Sequence, residues 1–511
     1  MFFGEWCGGQ NSILTKFCAN PPRVHSPSVH QKLQVFPELE PLKSTKPLFF
    51  IILRRNSYHP PRVDSWRVVE NISGLIFTIQ LFPLYLKRKI SVWTAASIVV
   101  ANMIGTGVFT SVGFQLSAVQ NTWSIVLLWI GGGILALFGA FAYAELGTNF
   151  KASGGDYVFL SEVFHPFLGF LTAWAGLTVG FSAPVALAAI AITKYLAPFG
   201  LNGNISLALG VIILVSLMHS FTIKHSSGMQ NISTLVKVLF ILTLISLGFL
   251  RPGQQENAIL LNGSWKKEIL QPGYAISMVF VTYAYTGWNA SAYIVEEIED
   301  PRKNIPRSLI GSTLFIAVIY VLFQIVLLRN GSVEQLHGKE EVSFIAFQNL
   351  LGKKGGEWVS FFIALQLIAT ISSYLWVGPR VTWAMAKNHR LLKPLSKVNK
   401  HGIPVRAVWV HAVIATVLTA TGSFEKVLLY AGFVLQLVLS LAVASSLFIR
   451  AREKGSFKAP FHPWPQIIFL LFSLWILIYT MIDKPWESLA GFGILALGAI
   501  IYLIDRRFKA R

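Results

Sequence analysis

Long apolar stretches recur along this chain from about residue 90 to residue 505. A helix needs about 20 such residues to cross a bilayer, and windows of about 19 residues find twelve segments of this kind. The bilayer core offers no water to backbone N–H and C=O groups, so each segment must pair them internally as a helix. We therefore predict an all-α integral membrane protein with about 12 transmembrane helices. Spans 1 to 12 are predicted at residues 90–116, 123–147, 164–193, 202–221, 229–250, 271–292, 308–329, 357–385, 404–421, 424–447, 464–482 and 486–505.

The composition supports the same class. Of 511 residues, 54% are hydrophobic and 13% are charged, with a mean hydropathy of +0.58. Soluble domains have about 25% charged residues. A net charge of +20 could indicate a nucleic-acid partner, but the basic residues cluster in short loops between the spans, where membrane topology places them. We expect the lipid bilayer, and no nucleic acid, as a partner.

The distribution of Lys and Arg predicts the orientation. With both termini cytoplasmic, the inner segments from residue 87 onward carry 22 Lys and Arg residues and the outer loops carry ten. Basic residues accumulate on the cytoplasmic side of membrane proteins. The chain is thus predicted to cross the cytoplasmic membrane many times, with both ends inside the cell.

Residues 1–86 differ from the rest. They contain scattered prolines, mixed charges and two apolar runs, 47–53 and 72–86, that are too short to span a bilayer. We expect either a disordered cytoplasmic tail or a start codon placed too far upstream, and an amphipathic segment on the membrane surface is the less favoured alternative. The two cysteines, Cys7 and Cys18, lie here, so no disulfide framework or Cys-x-x-Cys metal site is available. Without a recognisable catalytic motif, we expect no enzyme activity, no metal and no cofactor.

Two spans carry glycine-containing interruptions at mid-membrane. Span 1 contains Ile104-Gly-Thr-Gly-Val-Phe109, and span 6 contains Tyr285-Thr-Gly-Trp288. Glycine weakens a helix, and paired breaks in corresponding spans indicate a transporter's substrate site. Half-helix N-termini carry partial positive charge and C-termini partial negative charge, which complements a zwitterion. The alternative is that the small residues only allow close helix packing.

Several blocks carry a family resemblance. Their order and spacing over residues 87 to about 450 resemble the amino acid–polyamine–organocation permeases, especially the bacterial relatives of the L-type amino acid transporters. Lys151 departs from the usual pattern, since most members have proline before Ser-Gly-Gly. The blocks are Asn102-Met-Ile-Gly-Thr-Gly-Val-Phe-Thr110, Phe141-Ala-Tyr-Ala-Glu-Leu-Gly147, Ser153-Gly-Gly-Asp-Tyr-Val158, Tyr283-Ala-Tyr-Thr-Gly-Trp-Asn289, Glu296-Glu-Ile-Glu-Asp-Pro-Arg-Lys-Asn-Ile-Pro306, Gly378-Pro-Arg-Val381 and Ala384-Met-Ala386.

The resemblance implies a LeuT-like permease domain over residues 87–511, with helices 1 and 6 discontinuous. Its two inverted five-span repeats would cover about 90–250 and 271–447, and peripheral helices about 464–505. The freed N–H groups of span 1 would face a substrate α-carboxylate, and freed carbonyls of spans 1 and 6 its α-ammonium. The implied substrate-contacting residues are Ile104, Gly105, Thr106, Gly107, Val108, Tyr283, Ala284, Tyr285 and Gly287.

The aromatic residues of span 6 have two interpretations. In the resembled family the position of Tyr283 holds an aromatic gate over the substrate. The alternative is an interfacial belt of aromatic side chains, which suits Trp288 better than Tyr283 and Tyr285 because Trp288 lies beyond the middle of the span.

Lys237 is the most informative single residue. It lies eight residues after the predicted start of span 5, which is about 12 Å into the helix. A charge at this depth in the membrane is costly and indicates a function. The resemblance implies that its ammonium occupies the Na⁺ position of sodium-coupled relatives and bridges spans 1 and 8. Burial disfavours the charged form, so protons are an expected coupling ion. The alternative is that Lys237 snorkels to the cytoplasmic interface.

Four charged residues at the cytoplasmic ends of spans are predicted to be structural. Glu145 and Glu296, with Glu297 beside it, would hold an inner gate by pairing with basic loop residues, and Arg380 would anchor the inner end of span 8.

These features predict a secondary active transporter of small or medium neutral L-amino acids, working by alternating access as a proton-coupled symporter or an exchanger. A polyamine or organic-cation carrier is the alternative within the class, disfavoured because no Asp or Glu lies at mid-membrane. A channel is the alternative from another class, and it would need a polar pore with rings of charge or carbonyls. Mammalian L-type transporters bind a glycoprotein through a cysteine after span 3. Residues 194–201 contain none, so we expect no disulfide-linked heavy subunit.

Overall fold

The computed structural model describes residues 71–72, 75–76, 90–150, 152–201, 203–221, 226–253, 265–449 and 456–509. The chain divides into two compact units, residues 1–87 and 88–511. In the first, strands β1 (Asn71–Ile72) and β2 (Leu75–Ile76) pair antiparallel. The expectations for the remainder of residues 1–86, including both cysteines, concern residues outside the described ranges.

The described residues of the second unit are predominantly helical. A π-helical segment, Gly176–Gly180, follows α5, and 3₁₀ segments cover Ala197–Phe199, Ala290–Glu297 and Lys393–Ser396. The α-helices, α1 to α17, are Val92–Met103, Gly107–Gln115, Thr122–Asn149, Asp156–Val163, Pro166–Ala175, Ser182–Tyr195, Ile205–Phe221, Ser226–Leu250, Trp265–Glu268, Pro272–Ala284, Pro301–Asn330, Val333–Leu336, Val342–Asn388, Val405–Thr421, Phe424–Ser446, Trp464–Asp483 and Pro485–Lys509.

These helices confirm the predicted all-α membrane fold. Within the described ranges, nine helices are long and apolar enough to cross a membrane, and spans 4 and 9 form shorter apolar helices, Ile205–Phe221 and Val405–Thr421. Span 6 is divided between α10 and the 3₁₀ segment Ala290–Glu297. The total of twelve crossings and the inverted repeat stay predictions.

Span 8 extends further than predicted. Helix α13 runs over Val342–Asn388, with a non-helical residue, Gly352, at φ 75°. Glycine adopts this left-handed conformation at little cost. Residues 342–351 therefore form a separate helical stretch before the spanning part.

Spans 1 and 6 lie inside the bundle, and spans 11 and 12 lie at its edge. In the most apolar 18-residue window of span 1, 83% of the residues are buried, compared with 17% in the corresponding window of span 12 (Pro485–Arg507). Exposed apolar side chains such as Leu235, Val236 and Leu239 on span 5 suit contact with lipid. This arrangement surrounds the two interrupted spans with protein, which an opened backbone requires inside a bilayer.

One end of the bundle carries the loops richest in Lys and Arg, residues 386–406 among them. We call it the basic end. Here the residue before span 1, Ile90, pairs with Ile298 after span 6 in a parallel bridge. The ends of the two interrupted spans are thus joined by backbone hydrogen bonds.

Candidate functional site

The predicted discontinuity in span 1 is confirmed. Helix α1 ends at Met103 and α2 begins at Gly107, so residues 104–106 are not helical. The backbone N–H groups of residues 105–108 donate to no acceptor among the described residues. Unpaired donors at a helix N-terminus form a site for anions. Four of the five residues predicted in span 1 therefore offer free donors.

The carbonyl groups on the other side of the break are already paired. Tyr374 of span 8 donates to the carbonyl of Asn102 at 3.1 Å. Tyr320 of span 7 donates to the carbonyl of Met103. Buried carbonyls cost free energy when they lack a partner, so these tyrosines stabilise the open turn. At this break, the donors are available to a ligand and the acceptors are largely occupied.

Lys237 occupies the centre of this arrangement. Its Nζ donates to the Ala101 carbonyl at 3.4 Å, to the Ile104 carbonyl at 3.1 Å and to Thr370 Oγ1 at 2.8 Å. An ammonium has three N–H donors, and three acceptors from spans 1 and 8 surround it. The side chain is 1% exposed. It therefore lies among spans 1, 5 and 8, and it does not extend to the membrane surface as snorkelling requires.

The break in span 6 packs directly against the break in span 1. Gly287 has φ 101°, and a Cβ there would lie 2.7 Å from the backbone of Asn102. A Cβ on Gly107 would lie 2.5 Å from the Cα of Ala284. The carbonyls of Ala284 and Tyr285 accept no hydrogen bond from the described residues. Span 6 thus supplies free acceptors beside the free donors of span 1.

The aromatic residues of span 6 point in different directions. The Tyr283 hydroxyl is buried and has no hydrogen-bond partner among the described residues. The Tyr285 hydroxyl donates to the Trp129 carbonyl at 2.9 Å, so this side chain packs into span 2 and not toward a ligand. Trp288 is 3% exposed and lies against Tyr143, with ring centroids 4.8 Å apart. Trp288 therefore lies inside the bundle, which disfavours the alternative of an interfacial aromatic belt for this residue.

A cavity lies between the breaks and the basic end. Of the predicted substrate residues, only Gly287 lines it. The other eight lie at the breaks or pack behind them. Sequence reasoning missed most of the lining, whose polar members include Asn102, Asp156, Thr286, Asn289, Tyr293 and Tyr374.

Asp156 joins the loop after span 2 to span 6. Its carboxylate accepts from the Tyr293 hydroxyl at 2.8 Å and from the Tyr143 hydroxyl. Burial raises the pKa of the Asp156 carboxyl from 3.8 to about 6, and the two tyrosine hydrogen bonds oppose the shift only in part. Asp156 belongs to the Ser153-Gly-Gly-Asp-Tyr-Val158 block, and this membership is the sequence feature that could identify it as a site residue.

The predicted gate residues Glu145 and Glu296 and the predicted anchor Arg380 have different contacts. Glu145 is buried, with a carboxylate oxygen 4.0 Å from His462 Nδ1. The Glu296 N–H donates to Ser153 Oγ at 3.1 Å. The Arg380 guanidinium stacks 3.7 Å from the centre of the Trp376 ring. Arg380 also lies close enough to Glu297 for their charges to interact, and the gate and anchor roles stay predictions.

A family model described as amino acid permease matches residues 90–504, most of the chain. The chain belongs to the amino acid permease family. This permease is a multi-pass membrane protein of an amino acid transporter family, which confirms the resemblance to the amino acid–polyamine–organocation permeases.

Relatives match nearly the whole permease. It is 26% identical to the human b(0,+)-type amino acid transporter 1, over 83% of the permease and 89% of the relative. It is 28% identical to the human cystine/glutamate transporter, over 82% and 85%. It is 26% identical to the large neutral amino acids transporter small subunit 2 of Oryctolagus cuniculus, over 82% and 80%.

We predict that Gly107→Val destabilises the permease and abolishes transport. The new side chain would overlap the Ala284 backbone, and overpacking costs about 1–3 kcal/mol. Thermal unfolding in detergent and uptake in liposomes measure the two effects. Gly311→Val is the matched control, since a Cβ on Gly311 meets nothing within 4 Å. Equal behaviour of the two variants would contradict the packing.

We predict that Asp156→Asn changes how stability depends on pH. Because the folded-state pKa lies above the unfolded value, this carboxyl contributes most stability below pH 3.8, and the contribution is lost as pH rises through about 6. The loss is on the order of 3 kcal/mol, at about 1.4 kcal/mol per pKa unit. Unfolding midpoints of wild type and variant between pH 4 and pH 7 should therefore diverge. Asp300→Asn, which changes an exposed carboxylate, should follow wild type.

Proposed function

We propose that this permease is a secondary active transporter of neutral L-α-amino acids in the cytoplasmic membrane, with both termini inside the cell. It works by alternating access, as an exchanger or a proton-coupled symporter. The observation that carries the proposal is the set of four N–H groups at residues 105–108, beside the carbonyls of Ala284 and Tyr285, all without a hydrogen-bond partner in the part of the chain that the structure describes. This pairing matches the carboxylate and ammonium of an α-amino acid.

Alternating access is supported by the packing around the breaks. The close contact between Gly107 and Ala284 leaves no space between the breaks at that point, whereas the cavity lies toward the basic end. With that end cytoplasmic, as the Lys and Arg distribution predicts, this state offers its space to the inside. Moving span 1 relative to span 6 would separate Gly107 from Ala284 and expose the outer side.

Lys237 gives the coupling step a physical basis. Its three donors match three acceptors only while it is an ammonium. A neutral amine has two donors, so loss of a proton removes one of the three bonds by which Lys237 holds the break of span 1 and Thr370 of span 8. Proton transfer at Lys237 would then permit span 1 to move, and no sodium ion is needed at this position.

The runner-up is a carrier of polyamines or other organic cations. We favour it less because the cavity offers too little negative charge. A polycation needs carboxylates along its path. The cavity lining includes Asp156, but both of its oxygens already accept hydrogen bonds from tyrosines. A channel is disfavoured because the two breaks are in direct contact.

We predict that transport requires both the α-carboxylate and the α-ammonium of the substrate. Liposomes that contain purified permease and one labelled amino acid are challenged with external compounds. Neutral L-amino acids should drive exchange, and the matching amines should compete poorly. Leaving buried donors unpaired costs about 1–3 kcal/mol, or roughly five- to 150-fold in affinity. Amines that compete as well as amino acids would instead favour the polyamine carrier.

We predict that Lys237→Ala abolishes net uptake while the protein stays folded and inserted. The variant loses the bridge between spans 1 and 8, and with it the titratable group. Uptake at several pH values, with thermal unfolding as the folding check, measures this effect. Lys303→Ala is the control, because Lys303 forms an exposed ion pair with Asp300, and such pairs contribute little. Wild-type uptake by Lys237→Ala, or a sodium requirement in wild type, would refute the coupling role.

A further inference from the structure

Span 3 changes its helical type beside the cavity. The π-helical Gly176–Gly180 is closed by a hydrogen bond from the Phe181 N–H to the Gly176 carbonyl at 2.9 Å. Such single π turns inside α-helices occur frequently at functional sites. Here the turn places Gly176, Gly180 and Phe181 on the cavity wall.

A histidine from span 9 fixes the residue that follows Phe181. Ser182 Oγ donates to the Leu177 carbonyl at 2.7 Å and lies 2.9 Å from His411 Nδ1. Serine has one hydroxyl proton, so we assign the proton of the second bond to His411 Nδ1. His411 Nε2 then accepts from the Thr382 hydroxyl at 2.9 Å. The neutral imidazole thus links spans 3, 8 and 9 with both nitrogens paired.

Gly378 on span 8 leaves room for the Phe181 side chain because it has no Cβ. A Cβ on Gly378 would lie 2.7 Å from the Phe181 Cβ and 3.1 Å from His411 Cε1. The Phe181 ring also meets Tyr293, Tyr374 and His411 edge to face, at centroid distances of 5.9, 6.4 and 6.2 Å. Side chains from three other spans therefore restrict this ring.

Phe181 belongs to an apolar part of the lining. Val377 and Val381 of span 8 and Leu435 and Leu439 of span 10 line the same cavity. The polar lining residues beside the breaks, in contrast, lie next to the groups that would bind a carboxylate and an ammonium. An amino acid held by its head group at the breaks would thus place its side chain against the apolar part.

On the basis of the proposed function, we propose that Phe181 limits the size of the substrate side chain, and that His411 is the positioning residue that holds Phe181 there. The ring is buried to 9% exposure at the cavity wall, so removing it enlarges the space that a side chain can occupy. An apolar wall of this kind selects by size, because each methylene in an apolar pocket changes discrimination by roughly tenfold or more.

The test measures exchange of external L-alanine, L-leucine, L-phenylalanine and L-tryptophan against a labelled amino acid inside liposomes. Phe181→Ala should shift the ratio of tryptophan to alanine exchange toward tryptophan by roughly tenfold. Phe181→Trp should shift the ratio the opposite way. Because this variant retains a large ring, it still tests the proposal if Phe181→Ala folds poorly. Phe170→Ala is the matched control: Phe170 is also buried in span 3, but its ring contacts His389 and Tyr502 and does not line the cavity.

His411 is tested by the same ratio. His411→Gln keeps one donor and one acceptor and should retain the wild-type ratio, whereas His411→Leu should shift it in the direction of Phe181→Ala. His219→Leu is the control, since His219 bonds Ser372 on another face of span 8.

The possible results separate the two proposals. If wild-type permease exchanges amino acids and the ratio moves in opposite directions in Phe181→Ala and Phe181→Trp, the inference is supported. Active Phe181 variants with an unchanged ratio would overturn the inference alone. A wild-type protein that exchanges no amino acid would overturn the proposed function, and the size limit with it.

Discussion

Opening a helix inside a bilayer is the constraint on which the rest of this structure depends. The break in span 1 frees carbonyls that have no water to accept from. Tyr374, Tyr320 and Lys237 pair with them from spans 8, 7 and 5. Each of these donors comes from a different helix, so the bundle must be assembled before the break is stable. The freed N–H groups, in contrast, stay without a protein partner among the described residues.

This division explains why the two breaks are in contact. Gly107 and Gly287 lack a Cβ, so the backbone of each span approaches the other more closely than side chains would allow. The donors of span 1 and the acceptors of span 6 then lie side by side at the centre of the bundle. A movement that separates the spans would alter both groups together.

The residues that could be predicted from sequence are those whose signal is local. Gly105 indicates the break because glycine weakens a helix. Lys237 is notable because a charge in an apolar run is costly. Phe181 and His411 carry no such signal, since a π turn has no sequence signature and the Ser182 contact joins residues 229 positions apart. Asp156 carries no such signal because it lies in the predicted loop between spans 2 and 3, and its tyrosine partners become neighbours only after packing. Tertiary contacts decide such positions.

The free donors at residues 105–108 are main-chain groups, and this has a consequence for how such a protein can change. A substitution replaces a side chain but leaves the amide in place, so point mutations cannot easily remove the features that would recognise the common part of every amino acid. The cavity wall, in contrast, is made of side chains and is open to variation one residue at a time. A protein built in this way can acquire new substrates while it keeps the same main-chain contacts to the head group that all amino acids share.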